Sequence, residues 1–326
     1  MKSFLFAVNA VLPIILMVAL GYLLRRMGFI NADFAKKANK LVFRVFLPTM
    51  LFLNVYNIES SMDIGITYIF YAVIATFVIC FIAILISSFA TREKTRRAPF
   101  IQSIFRSNYA LIGIPLAEAF CGSEGVAVAA LLSAVAIPLF NVLAVVTFAI
   151  FANGEKPSLK KILKDIVTNP LIIGVALGAV MLLLKNFLVA NGVDFALSDI
   201  APLYKFLNYL SSMATPLALI VLGAQFEFSA IPGMKREIII STLMRTVIVP
   251  TVAVGVAILT GLFSSAHIAA FVALFGTPVA VSTVPMTQEL GGDTALAGQL
   301  VVWSTIFSGI TIFLFSFILK AIGVFV

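Results

Sequence analysis

An all-α integral membrane fold is what this sequence predicts: ten transmembrane helices in two inverted five-helix repeats, with broken crossing helices four and nine. Three observations lead there. The first is composition: of 326 residues, 62% are hydrophobic and 11% charged, and mean hydropathy is +1.14. A water-soluble domain carries about twice that share of charge. At about 20 residues per span plus loops, the length fits about ten spans. The second is a pair of interrupted apolar runs at matching places in the two halves, 99–121 and 275–293. The third is where the basic residues sit. The formal net charge is +8, and nearly all of it falls in alternate loops.

The apolar runs place spans near 5–24, 40–57, 66–88, 99–121, 125–151, 167–188, 203–226, 237–260, 267–290 and 295–319. Span one contains PIILMVALG, Pro13 to Gly21, and span six contains PLIIGVALG, Pro170 to Gly178. Six of these nine positions agree. Apolar letters agree by chance, so the Pro and Gly ends carry the comparison, against the plain alternative of two unrelated helices. Spans two and seven each carry a proline, Pro48 and Pro216, and a polar group, Asn54 and Gln225. Span three is plain apart from Thr76.

Span four reads PFIQSIFRSNYALIGIPLAEAFC. Asn108 and Gly113 disfavour helix, Pro115 lacks the N–H for an i to i−4 bond, and Ile114 is pushed toward extended geometry by the proline after it. Two half-helices with an unwound joint from Asn108 to Pro115 are expected. Span five follows with Ser133, Pro138 and Asn141, and span eight carries Arg245. Span nine repeats the theme of span four. Aligning Pro285 with Pro115 sets Thr277 over Ser107, Pro278 over Asn108 and Thr283 over Gly113. Span ten holds Gln299, Trp303, Ser304, Thr305 and Ser308. Polar side chains inside spans commonly just bond across helices. Those of spans five and ten gain weight by directly following the broken spans.

Loop charge gives the orientation. Arg25, Arg26, Lys36, Lys37, Lys40 and Arg44 follow span one; Arg92, Lys94, Arg96 and Arg97 follow span three. Lys156, Lys160, Lys161 and Lys164 follow span five; Lys235 and Arg236 follow span seven. By the positive-inside bias these loops are cytoplasmic, so both termini are extracytoplasmic in a multi-pass protein of the plasma (inner) membrane. The basic balance belongs to the lipid surface, not to nucleic acid. Five spans per repeat is odd, so the second copy enters from the opposite side. The repeats are 1–152 and 165–326, joined by a basic cytoplasmic linker, 153–164. Lys2 and the apolar run after it imitate a signal peptide, but the run is too long and forms part of a repeat.

Several chemistries are excluded. Cys80 and Cys121 sit in or at the end of apolar spans and make neither a disulfide framework nor a metal spacing. Every Asp lies in a loop or at a span edge, which leaves no buried pair for intramembrane proteolysis. One histidine, His267, and no clustered cysteine leave no metal or His-based active site. No phosphate-binding Gly-rich loop is present, so energy comes from gradients rather than nucleotide. No enzyme and no cofactor are expected.

What remains is the crossing. If each second half-helix starts at its proline, Pro115 or Pro285, both N-termini face mid-membrane from opposite sides. Each offers free N–H groups and roughly half a positive charge, which together form an anion site. Asn108, Thr277, Ser282 and Thr283 add side-chain donors. The C-terminal ends of the first half-helices carry the opposite partial charge and suit a cation or proton donor. Arg106 lies near the joint, and reads either as the cation that attracts an anionic substrate or as a side chain snorkelling to the interface. Arg245 has the same two readings, with less weight on function because no break adjoins it. Glu118, three residues after Pro115, reads as a cap on the half-helix or a proton-coupling carboxylate, the cap being favoured.

Three stretches resemble the auxin efflux carrier family, which includes plant PIN proteins and bacterial malate and malonate permeases: SNYALIGIPLAEAF, TPLALIVLGAQF and VLPIILMVALGYLLRRMGFI. The resemblance covers nearly the whole chain, without the long cytoplasmic loop of many plant members. It implies a ten-helix inverted-repeat fold with a scaffold of spans one, two, six and seven that forms a homodimer. Spans three to five and eight to ten would form a mobile unit that carries a small organic anion by an elevator-like movement. Carried onto this chain, the site is Asn108 to Pro115, including Gly113 and Ile114, and Thr277 to Pro285, including Pro278, Ser282 and Thr283. Asn141 lies alongside, and Asn54 faces it from the scaffold. The leading expectation is a secondary carrier for a carboxylate such as malate or malonate, or an auxin-like acid. The rivals are a sodium- or proton-coupled symporter or antiporter of similar fold, in which Glu118 takes part in coupling, and a non-transporting receptor or enzyme.

Overall fold

The computed structural model describes residues 2–57, 66–151 and 159–325. Twelve helices account for most of them: α1 (Lys2–Arg26), α2 (Ala32–Tyr56), α3 (Ile66–Ala90), α4 (Lys94–Phe105), α5 (Tyr109–Phe151), α6 (Leu159–Thr168), α7 (Pro170–Ala190), α8 (Ala201–Ala224), α9 (Phe228–Thr260), α10 (Ser265–Gly276), α11 (Thr283–Glu289) and α12 (Thr294–Ala321). Among the described residues, α2, α3, α5, α7, α8, α9 and α12 are long and apolar enough to cross a membrane. The described residues are thus helical with no strand beyond an isolated bridge, and the chain is multi-pass. Of the linker 153–164, residues 153–158 lie outside the described residues, and 159–164 begin α6.

Predicted spans four and five run together as α4 and α5. The chain re-aims at Cys121 (φ −134°, ψ 19°) and Gly122 (φ 59°, ψ −144°), where the positive φ suits glycine. Span nine is divided into α10 and α11 by residues 277–282.

Proline shapes three of the long helices in one way. Wide π turns at Val42–Phe46, Tyr109–Gly113 and Met244–Ile248 each end two residues before a proline: Pro48, Pro115 and Pro250. Proline cannot donate to the carbonyl four residues back, and its ring crowds that carbonyl. The helix responds by widening. The N–H groups of Leu47, Ile114 and Val249 reach five residues back, to Val42, Tyr109 and Met244.

Two packing groups result. In the first, α1 lies along α8, and α2 lies along α7 and α8. Glycines let the backbones meet. A Cβ on Gly21 would stand 2.0 Å from the Ile220 carbonyl, and one on Gly223 would stand 1.9 Å from that of Val18. Gly174 and Gly178 approach the carbonyls of Pro48 and Phe52 in the same manner. Small residues are how helices approach closely in lipid, where burial of apolar surface supplies little drive. In the second group α4, α5, α9, α10, α11 and α12 pack around the two chain breaks, with α3 against α4 and α5. Tyr68 on α3 bonds the Val128 carbonyl of α5, and Tyr71 bonds the Ala253 carbonyl of α9. Large apolar side chains are left exposed, such as Leu16 and Leu20 of α1 and Leu183 and Phe187 of α7, as expected where the surroundings are lipid or another apolar surface.

Candidate functional site

The two breaks meet. Between α4 and α5 the chain is extended at Arg106 and irregular at Asn108 (φ −81°, ψ 53°). Between α10 and α11 it is extended from Thr277. The two segments pair as an isolated antiparallel bridge, Ser107 with Val279. The Asn108 N–H donates to the Pro278 carbonyl at 2.8 Å, and the Ala280 N–H donates to the Arg106 carbonyl at 3.4 Å. The Val279 N–H, left over by this pairing, donates to Ser304 Oγ of α12 at 3.1 Å. Backbone that has left its helix at membrane depth must find such partners.

The joint in the first broken span is shorter than the sequence suggests. Helix resumes at Tyr109, not at Pro115, so Gly113, Ile114 and Pro115 belong to the new helix. The π turn absorbs the missing proline donor, so the proline does not end the helix. A Cβ on Gly113 would come within 2.6 Å of the Tyr109 ring and 3.1 Å of the Ala273 carbonyl; this residue is a packing contact between α5 and α10, not part of a gap. Glu118 then lies well beyond the first turn of its helix and is exposed, so it does not cap that helix. In the second broken span α11 begins at Thr283, and Pro285 is buried within its first turn.

Arg106 is the chemical centre of the crossing. Only 4% of it is exposed, and it turns inward instead of snorkelling. Nη2 donates to Asn141 Oδ1 and to Ser282 Oγ, both at 2.9 Å. Nη1 reaches Met286 Sδ at 2.8 Å and Gln102 Oε1 at 3.3 Å. Among the described residues its four partners are all neutral. Asn141 is held in turn by its Nδ2 bond to the Ile137 carbonyl, and Gln102 by its bond to Thr287 Oγ1. The hydroxyls of Ser107 and Thr283, buried nearby on the same two segments, have no hydrogen-bond partner among the described residues.

A cavity of about 360 Å³ opens between the two packing groups. Asn54 of α2, Asn57 just after it and Thr215 of α8 line it on one side; Asn108, Ile114, Ser133 and Ser282 line it from the other. A smaller cavity of about 60 Å³ shares Asn108 and Ser282 with it and is lined by Arg106 and Asn141. Asn54, Asn108, Asn141, Ser282, Ile114 and Arg106 are thus brought to one place. Thr277 is buried and bonds back to the Ala273 carbonyl, and Pro278 gives its carbonyl to Asn108. Both serve the bridge; they line neither cavity.

Sequence reasoning missed Gln102 and Met286 at this place; it gave Ser304 weight for following the broken span, and Arg245 less. Gln102 had a signal, since it stands four residues before Arg106 on one helix face. Arg245 was discounted because no break adjoins it in sequence. In space it adjoins both, donating from Nε to the Thr277 carbonyl (2.8 Å), from Nη1 to Ile104 (3.0 Å) and from Nη2 to Leu274 (2.9 Å).

At the end of the molecule that holds Gln288, polar contacts join the packing groups. Asn39 of α2 donates to Gln225 and to Gln288 of α11, both at 2.9 Å. Gln288 donates to the Lys36 carbonyl, and Arg44 pairs with Glu289 at 3.2 Å. Behind this, Arg96 ties α4 to Asp293 at the start of α12 and to Glu237 of α9.

Residues 6–316 match the model of a family described as membrane transport protein. The chain is 24% identical over 326 residues to an uncharacterised transporter of Methanothermobacter thermautotrophicus, covering 97% of this chain and 99% of that protein. It is 26% identical over 251 residues to an uncharacterised transporter of Methanocaldococcus jannaschii, covering 75% of this chain and 77% of the other.

Proposed function

The chain belongs to the membrane transport protein family, the family of the auxin efflux carriers, and we propose from that premise that it is a secondary active or facilitative transporter of a small organic anion. The observation that carries the reading is Arg106: a buried guanidinium whose four partners are all neutral, on the wall of a cavity between two helix groups. A buried cation with no carboxylate is costly. A substrate carboxylate arriving in the cavity supplies the missing charge, with Asn108, Asn141 and Ser282 to orient it and Asn54 opposite.

In this reading the ten predicted spans form two inverted repeats, and α1, α2, α7 and α8 are a scaffold past which the rest moves as an elevator. The glycine contacts within the first group and the cavity between the groups support that division. With the basic loops cytoplasmic, the cavity opens outward and the Asn39–Gln225–Gln288 contacts close the inner side. Homodimerisation through α1, α2, α7 and α8 in the inner membrane belongs to the same proposal.

The test is thermal stability of the purified protein against malate, malonate and an auxin-like monocarboxylate, followed by uptake into proteoliposomes of the acid that shifts it. A ligand of the folded state at a hundredfold excess over Kd adds about 2.7 kcal/mol. A shift and flux with a carboxylate are expected. A shift from neutral solutes alone, with no carboxylate active, would overturn the anion reading.

A further inference from the structure

Arg245 is the second buried arginine of the crossing, and the anion site does not use it. It is fully buried and lines neither cavity. All three of its bonds go to main-chain carbonyls, those of Ile104, Leu274 and Thr277. Ile104 is in the last turn of α4, Leu274 is in the last turn of α10, and Thr277 is the residue after α10. These are the carbonyls that a helix C-terminus leaves without partners. Each such end carries roughly half a negative charge. Two ends therefore converge on one point in a dry interior, and carbonyl oxygens so gathered are ligands for a hard monovalent cation in the way unwound transporter helices hold Na⁺.

We infer that Arg245 is the resident cation of this crossing: its guanidinium takes the place of a dissociable Na⁺ or K⁺, and the anion site assembles without either ion. The planar fork fits the task, since it spans three acceptors that a compact ammonium cannot reach together. Its site on a π turn of α9, a helix that contains neither break, lets one side chain tie the end of α4 to the end of α10. Thr277 precedes Pro278, whose carbonyl receives the Asn108 N–H. Arg245 is thus a positioning residue, acting on the substrate through the backbone bridge. The division of labour leaves Arg106 as the cation facing the cavity. The inference deepens the proposed function, but its first readout, stability without substrate, does not depend on what is carried.

The experiment compares wild type with Arg245→Ala and Arg245→Lys in buffers of choline, Na⁺, K⁺ or about 20 mM guanidinium chloride at equal ionic strength. Wild type is expected to show the same melting midpoint in all four, and the same midpoint shift with any carboxylate that binds. Arg245→Ala is expected to melt about 10 °C lower in choline, since three buried acceptors lose their donor. Guanidinium is expected to restore at least half of that drop. Arg245→Lys should fall between the two. Loss of wild-type stability or carboxylate binding in choline, regained with Na⁺ or K⁺, overturns the inference. So does an Arg245→Ala protein as stable as wild type in every buffer. Should Arg245→Ala fail to fold, the wild-type comparison decides alone. A cation-independent wild type that gives no carboxylate shift rejects the proposed substrate while leaving the role of Arg245 standing.

Discussion

Replacing Arg106 by Gln separates a binding arginine from a structural one, because its two effects differ in sign. Burying a charge with only neutral partners costs several kcal/mol, and the substitution removes that cost. Against it stand the bonds to Asn141 and Ser282, both 2.9 Å, worth about 1.5–3 kcal/mol each when the donor is charged. Gln recovers part of that by bonding one of the two. The stability of the empty protein is therefore expected to change by no more than about 2 kcal/mol. Binding behaves differently. A carboxylate about 4 Å from the guanidinium gains about 4 kcal/mol at an effective dielectric near 20. At about 1.4 kcal/mol per decade that is close to a thousandfold in affinity. Water in the cavity screens some of it, so a loss between about 30-fold and about 1,000-fold is expected. Arg106→Lys keeps the charge but cannot hold Asn141, Ser282 and Gln102 together, and should lose less. The assay is a melting midpoint without ligand, then calorimetric titration with the best carboxylate. An unchanged Kd in Arg106→Gln refutes the role assigned to this residue. A large drop in the midpoint with Kd preserved makes Arg106 a structural clamp instead.

Three further outcomes follow from particular contacts. Asn108→Ala should weaken carboxylate binding about tenfold while the midpoint stays within about 3 °C, because its bridge bond uses the backbone N–H and not the side chain; an unchanged Kd removes Asn108 from the site. Gly113→Ala should destabilise the protein by about 1–3 kcal/mol in thermal melts, since the added carbon meets the Tyr109 ring and the Ala273 carbonyl, and a wild-type midpoint would place the glycine in open space. Gln288→Ala removes bonds to Asn39, Gln225 and the Lys36 carbonyl. It should shift the protein toward the opposite-facing state, read as slower labelling of a cysteine placed at Asn54 by an impermeant maleimide added outside; faster or equal labelling argues against a closing role.

Much of this architecture could be read from the chain because lipid is a strict solvent. Long apolar runs and basic loops leave few alternatives, and the broken spans announced themselves through Asn108, Pro115 and Pro285. What the sequence misplaced was local. Proline marks a place where one helical bond fails, but a π turn absorbs that failure as readily as a chain break does. The break therefore falls at Arg106 to Asn108, and Pro115 and Glu118 lose the capping geometry expected of them. Arg245 was undervalued for a different reason. Its partners are carbonyls of Ile104, Leu274 and Thr277, and main-chain acceptors leave no mark in the residue alphabet.

The glycine contacts supply an argument for the inverted repeat that does not depend on the weak nine-residue match. If span one corresponds to span six and span two to span seven, a contact between α1 and α8 must be mirrored by one between α7 and α2. Gly21 ends the matched stretch of α1 and lies on the α8 backbone at Ile220; Gly178 ends the matched stretch of α7 and lies on the α2 backbone at Phe52. The same operation exchanges the two broken spans, whose extended segments meet as an antiparallel bridge, the pairing that a two-fold axis in the membrane plane requires. The chemistry at the crossing does not share the symmetry such a repeat would have. Arg106 comes from the first break and Ser282 from the second, and Arg245 binds one carbonyl of α4 but two at the end of α10. On the proposed repeat, duplication would set where the site lies, and divergence of the two copies would leave Arg106 as the one charge on the cavity wall.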